Sequence, residues 1–197
     1  MVTLIEVFVL AVVQGLTEWL PISSSGHLVI TQKILGLNLP LIYSVMLHFG
    51  TLIVVLTAFR KDIFGIIKAV VKRDFETDEG KLALFIVVGS VPIAFTGFVF
   101  HGFFESLFSN LPAVGLALLI TGLVLFFAEK RLGNRKMGIL DSILIGAAQA
   151  IAIIPGISRS GVTISTGLLR KVDKATAFKY SFLLSAPAIA GAAVMES

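Results

Sequence analysis

The sequence predicts an all-α, polytopic integral membrane protein made of two inverted-topology repeats, each opening with a re-entrant helix–loop–helix hairpin. Three observations predict this. Of 197 residues, 56% are hydrophobic and only 14% charged, with mean hydropathy +0.98, whereas soluble domains carry about 25% charged residues. Long charge-free runs alternate with short basic loops. Two polar stretches bearing Gly and Pro, WLPISSSGHL and IIPGISRSGV, interrupt otherwise apolar regions. The same composition excludes disorder, coiled coil, collagen and a soluble nucleic-acid binder. The net charge of +4 sits in the loops, where membrane topology explains it. With no cysteine there is no disulfide, thiolate ligand or Cys nucleophile.

The N-terminus, MVTLIEVFVLAVVQGLTEW, lacks a basic n-region and a small-residue cleavage site, so it reads as mature sequence rather than a signal peptide. It begins an apolar region, 2–34, nearly free of Lys and Arg apart from Lys33, which suits a hairpin entering and leaving on the outer side. Spans are expected at 41–59, 82–100 and 111–128, each of 18 or 19 residues without Asp, Glu, Lys or Arg. About 20 residues at 1.5 Å each cross a roughly 30 Å hydrocarbon core. In lipid these must be helices, since strand edges leave backbone groups unpaired. A shorter fourth span is expected at 180–195.

Loop charge orients them. Segment 60–81 holds six Lys/Arg and 129–136 holds four, while 101–110 holds none. The first two are therefore cytoplasmic and the third is an external loop, whose His101 and Glu105 show no partner pattern. Within 60–81, Ile63, Phe64, Ile66, Ile67, Val70 and Val71 oppose Lys68, Lys72 and Arg73, the pattern of a helix lying on the inner membrane surface. Region 139–169 has basic flanks on both sides, so it enters and leaves on the cytoplasmic side.

The two interrupted regions match at an offset of 135: Gln14 with Gln149, Ile22 with Ile157, Ser23 with Ser158, Ser25 with Ser160, Gly26 with Gly161. Tyr43–Ser44 pairs with Tyr180–Ser181 further on. The expected organisation is a first repeat over 1–136, with a hairpin at about 2–34 and three spans, and a second over 137–197, with a hairpin at about 139–169 and one span. The second repeat is shorter than the first by roughly two helices. Opposed repeats place broken helices and a substrate site at the bilayer midplane.

Charge at membrane depth costs roughly 2.5–3.5 kcal/mol per residue, so each such residue is a functional candidate. Arg159 lies in the second loop, and its planar fork suits bidentate capture of phosphate. Ser158, Ser160, Gly161 and Thr163 surround or open a helix whose N-terminus favours an anion. The alternative for Arg159 is a structural pair with Glu18. Gln14 and Glu18 share a helix face, where a carboxylate would hold a hard divalent cation or act as a base. Ser23 and Ser24, with His27 nearby, give hydroxyls beside an imidazole that could accept a proton or protonate a leaving group; the alternative is a serine helix cap. His48, inside a span, could line the same cavity; the preferred reading is a satisfied polar group between helices. Arg, Ser, His and carboxylate together are what phosphoryl transfer needs.

QGLTEWLPISSSGHL and PGISRSGVT closely resemble the two signature regions of the undecaprenyl-diphosphate phosphatase family, also known as the bacitracin-resistance protein family. The similarity runs along essentially the whole chain: Gln14 and Glu18 match its first motif, Ser23, Ser24, Gly26 and His27 its second, and Pro155, Gly156, Ser158, Arg159 and Ser160 its third. The resemblance implies hydrolysis of undecaprenyl diphosphate, recycling the lipid carrier for peptidoglycan, at a metal-dependent site facing the outer side of the cell membrane. It implies Ser24 as nucleophile, His27 as proton carrier, Arg159 as diphosphate clamp, and Glu18 with Gln14 as ligands of a divalent cation, Mg²⁺ or Ca²⁺. Expected partners are a polyprenyl diphosphate lipid, the bilayer and a second copy as a homodimer, with no nucleic acid. The rival is an inverted-repeat transporter or flippase for a phosphorylated lipid, which would need only the binding groups.

Overall fold

A computed structural model describes residues 2–131 and 133–195 and folds them into helices, with no strand among the described residues. The order is α1 (Leu4–Thr17), α2 (Ser24–Ile34), α3 (Leu41–Ala58), α4 (Arg60–Lys72), α5 (Asp78–Leu107), α6 (Leu111–Glu129), α7 (Ile139–Ile151), α8 (Arg159–Leu169) and α9 (Lys174–Met195). Leu41–Ala58, Asp78–Phe100, Leu111–Glu129 and Lys174–Val194 are long and apolar enough to cross a membrane. These are the four expected spans. The last begins earlier than the charge-free run does, because the Asp173 carboxylate accepts from the Thr176 amide and hydroxyl at 2.9 and 3.0 Å and starts the helix there.

The external loop expected at 101–110 is mostly helix. After a bend at Phe100 (φ −114°, ψ 20°), α5 resumes and runs to Leu107. No proline lies in 101–107, so nothing in the chain blocks the helix once the bend is made. The side chains of His101 and Glu105 lie outside the described residues. Asn110 then caps α6, its Oδ1 accepting from the Ala113 amide at 3.1 Å. In α4, Phe64, Ile67, Val70 and Val71 are exposed, the apolar face that the sequence assigns to a membrane surface.

The two interrupted regions form helix–loop–helix units, α1–α2 and α7–α8, of 14, 11, 13 and 11 residues. At 1.5 Å per residue each helix is roughly 16–21 Å long, too short to cross alone. α2 opens at Ser24 and α8 at Arg159, the spacing of the sequence repeat. Ser23 and Ser158 do the same local job: each hydroxyl accepts from the amide three residues on, Gly26 at 3.3 Å and Gly161 at 3.0 Å.

Neighbouring helices hold these units in place. α7 lies against α5, where a Cβ on Gly146 would come 2.2 Å from the Gly89 carbonyl oxygen, so only glycine permits this approach. At the other end of α7, the buried Asp141 carboxylate takes Arg135 at 2.6 Å and Arg170 at 2.9 Å. On α6, the Thr121 hydroxyl donates to the Gly156 carbonyl at 2.8 Å and accepts from the Ser158 amide at 3.0 Å, fixing the second loop. That loop abuts the first, since a Cβ on Gly26 would sit 3.0 Å from the Gly156 Cα.

Candidate active site

Where the loops meet, four side chains interlock. Glu18 stands at the C-cap of α1 and is only 6% exposed. One of its oxygens, Oε1, accepts from the Arg159 guanidinium. The other, Oε2, accepts from the Ser24 hydroxyl at 2.5 Å and from Gln14 Nε2 at 3.1 Å. Two opposite charges at this depth are tolerable because each neutralises the other and donors fill the remaining lone pairs. The Arg159 guanidinium also sits 5.6 Å from the centre of the Phe182 ring, which stacks on Trp19 at 5.0 Å. This aromatic shelf favours a cation and fixes the plane of its fork.

His48 of α3 completes the group. Its Nε2 lies 3.3 Å from Ser24 Oγ and 3.6 Å from Glu18 Oε2. Its Nδ1 is 2.8 Å from the Ser44 carbonyl oxygen. A carbonyl only accepts, so Nδ1 carries the proton, and in the neutral ring Nε2 presents its lone pair.

A cavity of about 210 Å³ opens on this cluster, with Glu18, Ser23, Ser24, His48, Ser158, Arg159 and Ser160 in its walls. Leu41, Val45, Phe108, Ile189 and Ala192 supply apolar walls from α3, the α5–α6 turn and α9. Polar groups converging in a largely apolar concavity make a ligand site by ordinary criteria.

The remaining expected site residues lie outside these walls. Gln14 is buried beneath Glu18, its Nε2 also reaching Thr51 at 3.4 Å. The ring of His27 is turned to its own helix start, with Nδ1 on the Ser23 carbonyl at 2.7 Å. The amide of Gly161 is taken by Ser158. The hydroxyl of Thr163 is held by Arg159 O at 2.7 Å and Ser181 Oγ at 2.6 Å, joining α8 to α9. Both alternatives weighed for these motifs are present: Ser23 is a cap, and Arg159 pairs with Glu18. Sequence reasoning weighed His48 as a cavity-lining residue but preferred a satisfied polar group between helices; the structure places it in the cavity wall, where an imidazole inside a charge-free run was the available signal.

As a cation site the cluster offers oxygen donors, the kind that Mg²⁺ and Ca²⁺ take. Gln14 Oε1 is buried without a partner beside Glu18. No cluster of three His, Cys, Asp or Glu occurs among the described residues. One carboxylate and one carboxamide oxygen fit a cation that shares the rest of its shell with a substrate phosphate, as Mg²⁺ commonly does.

The family model described as bacitracin resistance protein BacA matches residues 7–197. The chain belongs to the bacitracin resistance protein BacA family. It is 46% identical over 196 residues to the undecaprenyl-diphosphatase of Carboxydothermus hydrogenoformans, covering 97% of this chain and 72% of the relative. Against the undecaprenyl-diphosphatase of Korarchaeum cryptofilum it is 42% identical over 199 residues, covering 97% and 76%. That of Methanosphaera stadtmanae is 35% identical over 214 residues, covering 100% and 78%. A BacA-family chain with four helices of spanning length is a multi-pass membrane protein.

Proposed function

We propose that this chain hydrolyses undecaprenyl diphosphate to undecaprenyl phosphate and inorganic phosphate, recycling the lipid carrier for peptidoglycan and other envelope polymers. Relatives named undecaprenyl-diphosphatase match nearly all of it. The observation that carries the chemistry is the Ser24 hydroxyl held against Glu18, which is itself paired with Arg159. The diphosphate enters the cavity head first while its isoprenoid tail lies along the apolar walls. Arg159 shifts part of its fork from Glu18 to the phosphate, and the hydroxyls of Ser158 and Ser160, at the start of α8, donate to the remaining oxygens. Ser24 Oγ, oriented by Glu18, attacks the terminal phosphorus.

Glu18 and Gln14 would hold the divalent cation, which when bound supplies neutralising charge to the diphosphate. The two helix–loop–helix units are re-entrant hairpins from opposite faces, and the chain sits in the cell membrane with its cavity facing outwards. Supporting this, Leu41, Phe108 and Ala192 line the cavity, and they lie at the helix ends away from the basic segments 60–81 and 129–136.

A transporter would need Arg159 but has no use for a serine hydroxyl set against a buried carboxylate. Purified protein in detergent with Mg²⁺ or Ca²⁺, given undecaprenyl diphosphate, is expected to release phosphate, and Ser24→Ala is expected to release none while still binding the lipid. Binding without phosphate release by the parent would favour transport.

A further inference from the structure

We propose that His48 is a further catalytic residue, the carrier of the Ser24 proton; this rests on Ser24 being the nucleophile. Ser24 has one proton and two acceptors within reach among the described residues, Glu18 Oε2 at 2.5 Å and His48 Nε2 at 3.3 Å. Glu18 is poorly placed to keep that proton. Its two oxygens already serve Arg159, Gln14 and Ser24, so it orients the hydroxyl instead. His48 Nε2 has its lone pair free, because the Ser44 carbonyl fixes the tautomer from the other side of the ring at 2.8 Å. The ring is rooted in α3 and opens on the cavity, with its side chain 24% exposed, so a proton on it can reach the substrate. A base oriented by a third group beside a hydroxyl is the usual arrangement for activating a serine. His27, by contrast, faces the Ser23 carbonyl and is absent from the cavity wall.

The steps balance. As the Ser24 Oγ–P bond forms, the Ser24 proton passes to His48 Nε2. The bond from phosphorus to the bridging oxygen breaks, and undecaprenyl phosphate leaves with that electron pair and takes the proton from His48. In the second half, water attacks the phosphoserine. One of its protons passes through His48 to Ser24 Oγ as the Ser24 Oγ–P bond breaks, and the other stays on the released phosphate.

The charged groups facing His48 are Glu18 at the end of α1 and, beyond it, Arg159 of α8. From α2 it meets Ser24. From α9 the cavity receives Ser185 and apolar residues, while Lys179 is engaged with Asp62 of α4 at 2.7 Å.

The test uses the full chain in detergent with Mg²⁺ or Ca²⁺ and undecaprenyl diphosphate. His48→Gln keeps a hydrogen-bonding group near Ser24 but cannot carry a proton; His48→Asn keeps a donor for Ser44 and removes Nε2. Thermal unfolding identifies the variants that fold like the parent. Each of these is expected to lose about 10²-fold or more in kcat with KM within about twofold. Parent-like kcat in either variant overturns the proposal and leaves the Ser24 reading standing. Parent-like turnover by Ser24→Ala overturns both.

Discussion

Arg159 and Glu18 would each be expensive alone at membrane depth, and together they form a neutral pair whose fork and carboxylate point at one hydroxyl. Removing one partner strands the other. Glu18→Gln is expected to lower stability by about 3–5 kcal/mol, read as a drop in the thermal midpoint in detergent. Arg159→Lys keeps the charge but loses the fork and the aromatic shelf, so kcat/KM for undecaprenyl diphosphate is expected to fall by about 10²-fold or more. A fall confined to a few-fold would mean that point charge alone suffices. Ser24, Glu18 and Arg159 were legible in the sequence because polar groups inside apolar runs need a reason. The partnership of His48 with Ser24 was not, because the two are 24 positions apart and only the packing of α3 against the first loop brings them together. The expectation that His27 serves Ser24 came from chain proximity and the family resemblance, whereas the structure turns its Nδ1 to the Ser23 carbonyl at 2.7 Å.

At the scale of elements, the short helices position the chemistry and the long ones hold them. Thr121 illustrates this, since its hydroxyl spans two backbone groups of the second loop and is 2% exposed. Thr121→Val leaves a buried carbonyl and amide unpaired, a loss of about 1–3 kcal/mol. Because the loop carries Arg159, phosphate release should drop too. Gly26→Ala tests the contact between loops: its Cβ would meet Gly156 Cα at 3.0 Å and Leu118 Cδ2 at 3.1 Å. The expected cost is about 1–3 kcal/mol of stability, with turnover reduced more than lipid binding. A Gly26→Ala chain as active and as stable as the parent would show that the loops have slack. Helix breaks at the two polar stretches and the four spans could be read from periodicity and charge. The continuation of α5 past Phe100 could not, because a bend without proline leaves little trace in composition.

For the whole molecule, the division of charge between loops predicts an orientation, and the absence of cysteine makes that testable with single introduced thiols. Cysteines at Glu76 and Asn110, before and after α5, should react with an impermeant maleimide from opposite sides of the membrane in intact cells or inverted vesicles. The re-entrant reading predicts that cysteines at Thr3 and Leu37, flanking α1–α2, react from one common side. It predicts that Gly138 and Lys171, flanking α7–α8, react from the other. Labelling of Thr3 and Leu37 from opposite sides would mean that the first unit crosses the bilayer.

The most direct measurement is rapid quenching of the purified chain with undecaprenyl diphosphate carrying label in its terminal phosphate, followed by mapping of labelled peptides. The expected result is transient label on Ser24, rising before free phosphate appears and missing from Ser24→Ala and Arg159→Ala. Release of phosphate with label on another residue, or undiminished release by Ser24→Ala, would contradict the assignment of the chemistry to this cluster.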